Sequence, residues 1–516
     1  MKINVLDYLE QHTLKQTPTK TAVIDGDRSI DFMTLCNRSK KLALEIINQR
    51  NCINRPVAIF LPKSIESVIA DLAATYSGNI YMNIDIKYPE ERLKNVFSKI
   101  EPEIVITNNT LFEHIKEICT DNILIINIDN VNIGEDINND DYSLIFKRLE
   151  DIIDTDPYCI INTSGSTGTP KGVVLNHKSF IDFTEWSIPT LSITDHEIIG
   201  SLSPLYFDIY SFELCLLMAK SATIVILPEQ MAAFPAKLIE LLETQKVNFI
   251  FWVPTIMVNI ANMDLLSKFN LSELKKVLFA GEVFPTKHMN YWRKQIPSAT
   301  FINMYGPIEI TLDCTYYIVK KDIPNDVPIP IGYPCRNTDV LILNDENKLA
   351  LVNEKGELCI RGTSLAMGYW NDPEKTAKAF VQNPLNNHYP EVIYRTGDVV
   401  FKNGEGEIIF VGRKDFQIKH LGYRIDLSEI EHVIVNCFTT IDNACVLYNK
   451  EKKEICLFYE GAEISVADFR KKLMNFLPKY MIPSQFYRHD HLPRNPNGKI
   501  DRNFLVKKLE DGIDQQ

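Results

Sequence analysis

The chain has 516 residues, of which 45% are apolar and 24% charged, and it carries a formal net charge of -12. That length exceeds one ordinary hydrophobic core, so two or more domains are expected, and the composition excludes a disordered protein. The acidic balance argues against a nucleic-acid binder, whose affinity depends on neutralising phosphates with Lys and Arg.

The N-terminal MKINVLDYLEQH has acidic residues where a signal peptide needs an apolar core. PVAIFLP (56–62) reads as a buried strand, and SIESVIADLAATYSG behind it has helical spacing. Further strands are expected at EIVIT (103–107), NILIIN (122–127), YCIINT (158–163), ATIVILP (222–228), FIFWVP (249–254) and KVLFAG (276–281). Strands separated by helices imply mainly parallel sheets covered on both faces. The Asn/Asp-rich stretch 132–141 is expected as a solvated loop. After about Val340 the strands shorten and Gly and Pro crowd together, as in a β-rich subdomain. From Asp415 the chain enters an α+β unit of about a hundred residues.

The fold class is therefore α/β. A large N-terminal domain, 1–414, has mainly parallel sheets flanked by helices plus a β-rich subdomain from about 340, and a small α+β domain covers 415–516. The apolar runs, such as 249–257, fall short of the roughly 20 residues that span a bilayer. The 11 dispersed cysteines include no CxxC pair and read as reduced thiols rather than a disulfide frame or zinc site. A cytoplasmic protein without membrane insertion is expected.

Four segments carry chemistry. Thr163, Ser164, Gly165, Ser166, Thr167, Gly168, Thr169, Pro170 and Lys171 directly follow the strand YCIINT. Glycines there let backbone N–H groups approach phosphate oxygens, hydroxyls add donors, and Lys171 adds a mobile positive charge. The segment is not a Walker A loop, and without its strand and its lysine it would read as a flexible connector. In Asn303-Met304-Tyr305-Gly306-Pro307-Ile308-Glu309, Tyr305 offers a ring face to a purine and Glu309 an oxygen to a divalent cation. Read alone it is equally a strand-to-turn transition. Asp398, after the tight turn of Tyr394-Arg395-Thr396-Gly397, is placed to accept from ribose hydroxyls, although a lone loop aspartate is the commoner meaning. Lys499, presented by Pro496-Asn497-Gly498, would alone be an exposed loop lysine.

In this order and spacing the segments resemble the core motifs of the adenylate-forming superfamily, which includes acyl-CoA synthetases, luciferases and the adenylation domains of nonribosomal peptide synthetases. The resemblance runs from GNIYMNIDIKYPEERL to NGKIDR and takes in GELCIRGTSLAMGYWNDPEKT (356–376), GRKD (412–415) and LPKYMIP (477–483). The amino-acid branch is favoured by Tyr206-Phe207-Asp208, where relatives pair the Asp with the substrate ammonium; a buried carboxylate without such a cation is costly. FAGEVFP (279–285) and DFQIKHLGYRIDLSEIE (415–431) look most like D-alanine:D-alanyl carrier protein ligase and free-standing peptide-synthetase adenylation domains.

The resemblance implies ATP and Mg²⁺ as reaction partners, with a small amino acid activated as its adenylate and passed to a separate phosphopantetheinylated carrier protein. Lys499 would bridge the attacking carboxylate and the α-phosphate, Glu309 would hold Mg²⁺, the loop through Lys171 would hold pyrophosphate, and Asp398 with Arg413 the ribose. Asn303, Tyr305 and Gly306 belong to the nucleotide site. Asp415 stands at the hinge of a mobile C-terminal domain. The substrate pocket maps onto Asp208, Ile209, Phe212, Phe251, Leu278, Ala280, Met304, Leu312 and Asp313, and two Phe and a Met leave room for a small side chain. Asp313 is either an acceptor for a substrate hydroxyl or amine or a carboxylate satisfied by the protein itself. Two departures stand out: Ala280 replaces the Cys usual in the D-alanine ligases, and Ile308 replaces a Thr whose hydroxyl contacts the α-phosphate in relatives. The chain ends 17 residues after Lys499, so the carrier is expected on another polypeptide. A CoA ligase for a small carboxylic acid and a non-catalytic nucleotide-binding relative are the rival readings.

Overall fold

A computed structural model describes residues 2–133, 139–163, 170–414, 417–438, 440–494 and 500–510. The chain divides into two compact units, the larger comprising 1–86, 100–162 and 172–414 and the second 87–99, 163–171 and 415–516. Among the described residues no helix is long and apolar enough to cross a membrane.

Two large sheets build the larger unit. One runs in the order Tyr333–Pro334, Thr315–Ile318, Thr300–Tyr305, Lys276–Phe279, Phe249–Trp252, Ile198–Ser201, Thr223–Ile226, Thr21–Asp25, Arg28–Asp31. Its central strands are parallel and only its two edges antiparallel. The other centres on the parallel strands Pro157–Thr163, Ile80–Asn83, Pro56–Ile59, Ile104–Thr107 and Leu124–Asn127.

Period-two alternation divides the first sheet's side chains between two cores. Ile250, Trp252, Val277, Phe279 and Phe301 join one buried cluster. Their neighbours Phe249, Phe251, Leu278, Ile302 and Met304 join the other. These strands are buried on both faces, which is why they read as continuous apolar runs. The β-rich subdomain is an antiparallel sheet containing Thr338–Leu343, Gly356–Gly362, Phe380–Gln382, Val392–Lys402 and Ile408–Arg413.

In the second unit, Ile441–Asn449, Glu454–Gly461 and Gln485–His489 form a three-stranded sheet. Val446, Ile455, Leu457 and Tyr459 face helices Leu427–Cys437 and Val466–Leu473. Cys445, Leu447, Cys456 and Phe458 meet Leu505 and Leu509 of helix Arg502–Glu510 on the other face. The hairpin Gln417–His420/Tyr423–Asp426 turns through Leu421 and Gly422, both at positive φ (53° and 84°), the twist a two-residue hairpin requires.

One local expectation is corrected. The stretch 132–141 is not loop throughout, because helix Asn139–Glu150 starts inside it. Asp140 and Asp141 fall in the first turn, where negative charge opposes the exposed N–H groups favourably.

Candidate functional site

The larger unit carries most of the anticipated residues on three neighbouring parts of the chain. Strand Thr300–Tyr305 delivers Asn303, Met304 and Tyr305, and its antiparallel partner Thr315–Ile318 returns directly beside it. The intervening residues 306–314 form an excursion closed by Cys314 N–H donating to Tyr305 O at 2.8 Å. Gly306 has no room for a side chain, since a Cβ would stand 2.2 Å from Leu312 O and 2.5 Å from Asp313 Cα. Glu309 lies in the short turn Ile308–Ile310, fully buried, and accepts from the Tyr369 hydroxyl at 2.9 Å. Thr311 and Leu312 then take successive left-handed conformations (φ 55° and 66°), a strain of order 1–3 kcal/mol each that such sites commonly hold.

The second part is strand Val392–Lys402. Its Asp398 is buried and accepts from the Tyr305 hydroxyl and, through Oδ1, from Arg413 Nη1 at 2.7 Å. Arg413 sits directly across the ladder from Asp398 and also donates through Nη2 to Thr396 O at 3.0 Å. Burial first, and the Asp398 charge second, push the Tyr305 phenol well above its ordinary range, so it remains a donor. Asn303 donates to Pro330 O at 2.8 Å.

The third part is the pocket. Ile209 and Phe212 lie on helix Asp208–Lys220, with Asp208 half-buried at its first position. They enter the same buried cluster as Phe251, Leu278, Ala280, Met304 and Leu312. Register explains the convergence: Phe251 is level with Leu278, Leu278 with Ile302, and Met304 follows two residues on along the same face. Phe212 meets Phe251 edge-on, with centroids 6.3 Å apart at 86°. Asp313 is buried at the end of the strained excursion.

In the second unit, Thr163 closes strand Pro157–Thr163, and its Oγ1 is buried without a hydrogen-bond partner among the described residues. Lys171 opens strand Lys171–Asn176 and is buried. Ser164, Gly165, Ser166, Thr167, Gly168, Asp415 and Lys499 lie outside the described residues.

Several contributors escape the sequence reading. Tyr369, in the GELCIRGTSLAMGYW segment, reaches Glu309. Phe183 packs edge-on against Phe212 at 5.1 Å, and Trp186 against Phe183 at 5.3 Å. Their i, i+3 spacing in helix His177–Thr190 signals a shared face but not which pocket that face serves. Lys63, packed beside the Asp208 helix, and Glu213, within it, have no sequence motif to announce them.

Residues 10–370 match the family model described as AMP-binding enzyme. The chain is 30% identical over 507 residues to zwittermicin A synthase ZmaJ of Bacillus cereus, covering 96% of this chain and 94% of that protein. It is also 30% identical over 493 residues to tyrocidine synthase 1 of Brevibacillus parabrevis, matching 95% of itself but spanning only 43% of that longer protein. Its fold is similar to that of the Vibrio cholerae adenylation domain AlmE, solved with glycyl-adenosine-5'-phosphate. That similarity has a TM-score of 0.84 at 20% identity and covers 98% and 97% of the two chains.

Proposed function

The chain belongs to the AMP-binding enzyme family, and from that premise we propose that it activates a small amino acid with ATP and transfers it to a carrier thiol. The substrate carboxylate attacks the α-phosphorus of ATP, the bond to the bridging oxygen breaks, and pyrophosphate leaves with the electron pair. The aminoacyl-adenylate is then attacked by the phosphopantetheine thiol of a carrier protein, forming a thioester and releasing AMP.

One observation carries the amino-acid reading. Asp208 stands at the head of a helix whose next residues, Ile209 and Phe212, wall an apolar cluster. A half-buried carboxylate beside apolar walls suits a substrate bearing a cation at one end, which an acetate- or benzoate-like acid lacks. Phe212, Phe251 and Met304 favour a small side chain, and AlmE, solved with a glycyl adenylate, has a similar fold. Asp313 supports serine among the candidates.

For the nucleotide, Asp398 and Arg413 would hold the ribose, and Asn303, Tyr305 and Gly306 would frame the base. Lys171, Thr163 and the loop 164–168 would receive the pyrophosphate. Thr163 Oγ1, buried and without a hydrogen-bond partner among the described residues, fits a hydroxyl that donates to a ligand oxygen. Lys499 would neutralise charge between carboxylate and α-phosphate. Mg²⁺ fits Glu309, a buried hard oxygen donor, together with phosphate oxygens rather than a protein cage. Among the described residues no group of three His, Cys, Asp or Glu side chains could hold a metal ion. When bound, the ion would supply charge neutralisation at the phosphates.

The test is ATP–pyrophosphate exchange with glycine, L- and D-alanine, and L- and D-serine against acetate, propionate and benzoate. Exchange with at least one small amino acid and none with the simple acids is expected. The reverse pattern overturns the amino-acid reading.

A further inference from the structure

Lys63 follows strand Pro56–Ile59 and immediately precedes Ser64, the cap of helix Ile65–Tyr76. Its ammonium does not point to solvent. It donates to Ser201 O at 3.0 Å, to Ser201 Oγ at 2.7 Å and to Ser203 O at 2.6 Å, and it lies 5.3 Å from the Tyr210 ring centroid. Ser201 Oγ in turn donates to the Glu213 carboxylate. Tyr210 is fixed from its far end, where its hydroxyl donates to Asp71 at 2.6 Å and Asn83 donates to the same carboxylate at 2.9 Å.

These contacts bracket Asp208. Ser201 and Ser203 are on the chain entering it, and Tyr210 and Glu213 are on the helix leaving it. One cation thus ties together both sides of the residue to which the amino-acid reading gives the substrate ammonium. We infer that Lys63 is a positioning residue for amino-acid recognition, holding segment 201–213 so that Asp208, Ile209 and Phe212 face the substrate. The inference rests on the function proposed above.

Ser203 Oγ and Glu213 Oε1 are buried without hydrogen-bond partners among the described residues. Ser201 O also accepts from Leu227 N–H at 3.1 Å, so Lys63 acts chiefly on Ser203 O and, through Ser201 Oγ, on Glu213. Away from water its attraction to them is weakly screened. Burial also pushes the Lys63 ammonium down and the Glu213 carboxyl up from their ordinary values, each moderated by the other's charge. The charged and titratable groups facing Lys63 are Glu213 from the Asp208 helix, Glu229 from the turn after strand Thr223–Ile226, and Tyr210. Asp71 acts behind Tyr210. As pH rises through the Lys63 value the clamp loses its charge, and the grip on the 201–213 segment loosens.

The experiment uses the full chain with Lys63→Met and Lys63→Arg. It measures ATP–pyrophosphate exchange against glycine, D-alanine, L-alanine and L-serine concentration at pH 7 and pH 9. Lys63→Met is expected to raise the amino-acid KM about 10-fold or more at pH 7, the effect of losing a charged donor, with the ATP KM within about 2-fold. In the native chain the amino-acid KM should rise from pH 7 to pH 9 more steeply than in Lys63→Arg, because a guanidinium stays charged. That difference separates the clamp from deprotonation of the substrate amine, which acts on both proteins equally. An unchanged amino-acid KM in Lys63→Met overturns the inference, as do parallel pH curves for the native and Arg proteins. If Lys63→Met does not fold, the comparison of native chain with Lys63→Arg decides. Exchange with no amino acid by the native chain sinks the proposed function and the clamp together, whereas normal exchange with indifferent variants sinks the clamp alone.

Discussion

The Tyr305 hydroxyl donates to the carboxylate of Asp398, 93 residues further along the chain, and Arg413 holds the other oxygen of that carboxylate at 2.7 Å. The pair ties the strand before the Glu309 turn to the strand of the β-rich subdomain. If Asp398 receives the ribose, replacing it has a sharply localised effect. Asp398→Asn is expected to raise the ATP KM by about 10- to 100-fold, the worth of a hydrogen bond to a charged group, and to leave the amino-acid KM within about 2-fold. Tyr305→Phe removes one donor but frees an acceptor for the ribose, so its ATP KM should move by less than about 5-fold. Steady-state exchange kinetics with both substrates varied check this, and equal effects on both KM values would count against the assignment.

Gly306 gives a steric prediction. Its missing side chain is the space occupied by the Leu312 carbonyl and Asp313 Cα, both backbone atoms. Those atoms belong to an excursion already holding two residues at positive φ, so it has little freedom to yield. Gly306→Ala should cut exchange by about 10²-fold and cost about 1–3 kcal/mol in stability, the usual range for overpacking. Gly404→Ala, where a Cβ meets nothing within 4 Å, should leave the exchange rate unchanged. Parallel assays and thermal melts of the two variants make the comparison.

The contrast between these residues shows what sequence can convey. Strands such as Phe249–Trp252 and Lys276–Phe279 are legible because burial on both faces demands an unbroken apolar run. Gly306, Glu309 and Asp398 are legible because unusual residue types stand in fixed local order, and the resemblance to adenylate-forming enzymes supplies their meaning. The partners of those residues are not. That Tyr305 reaches Asp398, that Tyr369 reaches Glu309, and that Phe183 backs Phe212 depend on register and packing between distant segments. No local pattern encodes such distances. Lys63 is the extreme case, an ordinary lysine in sequence whose importance comes only from the carbonyls that fold around it.

His177 sets an acid limit on stability. It is 4% exposed, its Nδ1 accepts from Val5 N–H at 3.4 Å, and burial holds it down at about 3 rather than the ordinary 6.5. Between those values the folded chain refuses a proton that the unfolded chain takes. Its contribution is therefore full above about pH 6.5 and is lost as pH falls towards 3, at about 1.4 kcal/mol per pH unit. Denaturant unfolding at pH 7 and pH 5 should show a drop that is smaller by about 2 kcal/mol in His177→Gln. Identical acid sensitivity in the two proteins would mean that His177 is not the group responsible.

Lys499 separates the two half-reactions. If it neutralises charge between the attacking carboxylate and the α-phosphate, Lys499→Ala should lose exchange by about 10²-fold or more, the cost of removing an oxyanion donor. Transfer from a supplied aminoacyl-adenylate to a phosphopantetheine thiol should survive, because that step does not rebuild the same charge. Loss of both steps would point to a structural role, and normal exchange would remove Lys499 from the mechanism.

Ile308 offers the opposite kind of test, a gain. It occupies the turn beside Glu309, half-buried and packed against the main core of the larger unit, where the resemblance to adenylate-forming enzymes implies a threonine in contact with the α-phosphate. Exchanging a methyl-bearing branch for a hydroxyl at the same β-branched position preserves backbone preference while adding a donor. A donor made good in the transition state is worth about 1–2 kcal/mol, so Ile308→Thr should raise the exchange rate by about 5- to 30-fold. The lost apolar contact should lower stability by about 1 kcal/mol, visible as a modest fall in Tm. Faster exchange with a lower Tm means the chain has exchanged catalytic power for packing at this position. A slower or unchanged rate means that another group already supplies the contact, and that the turn is shaped around isoleucine.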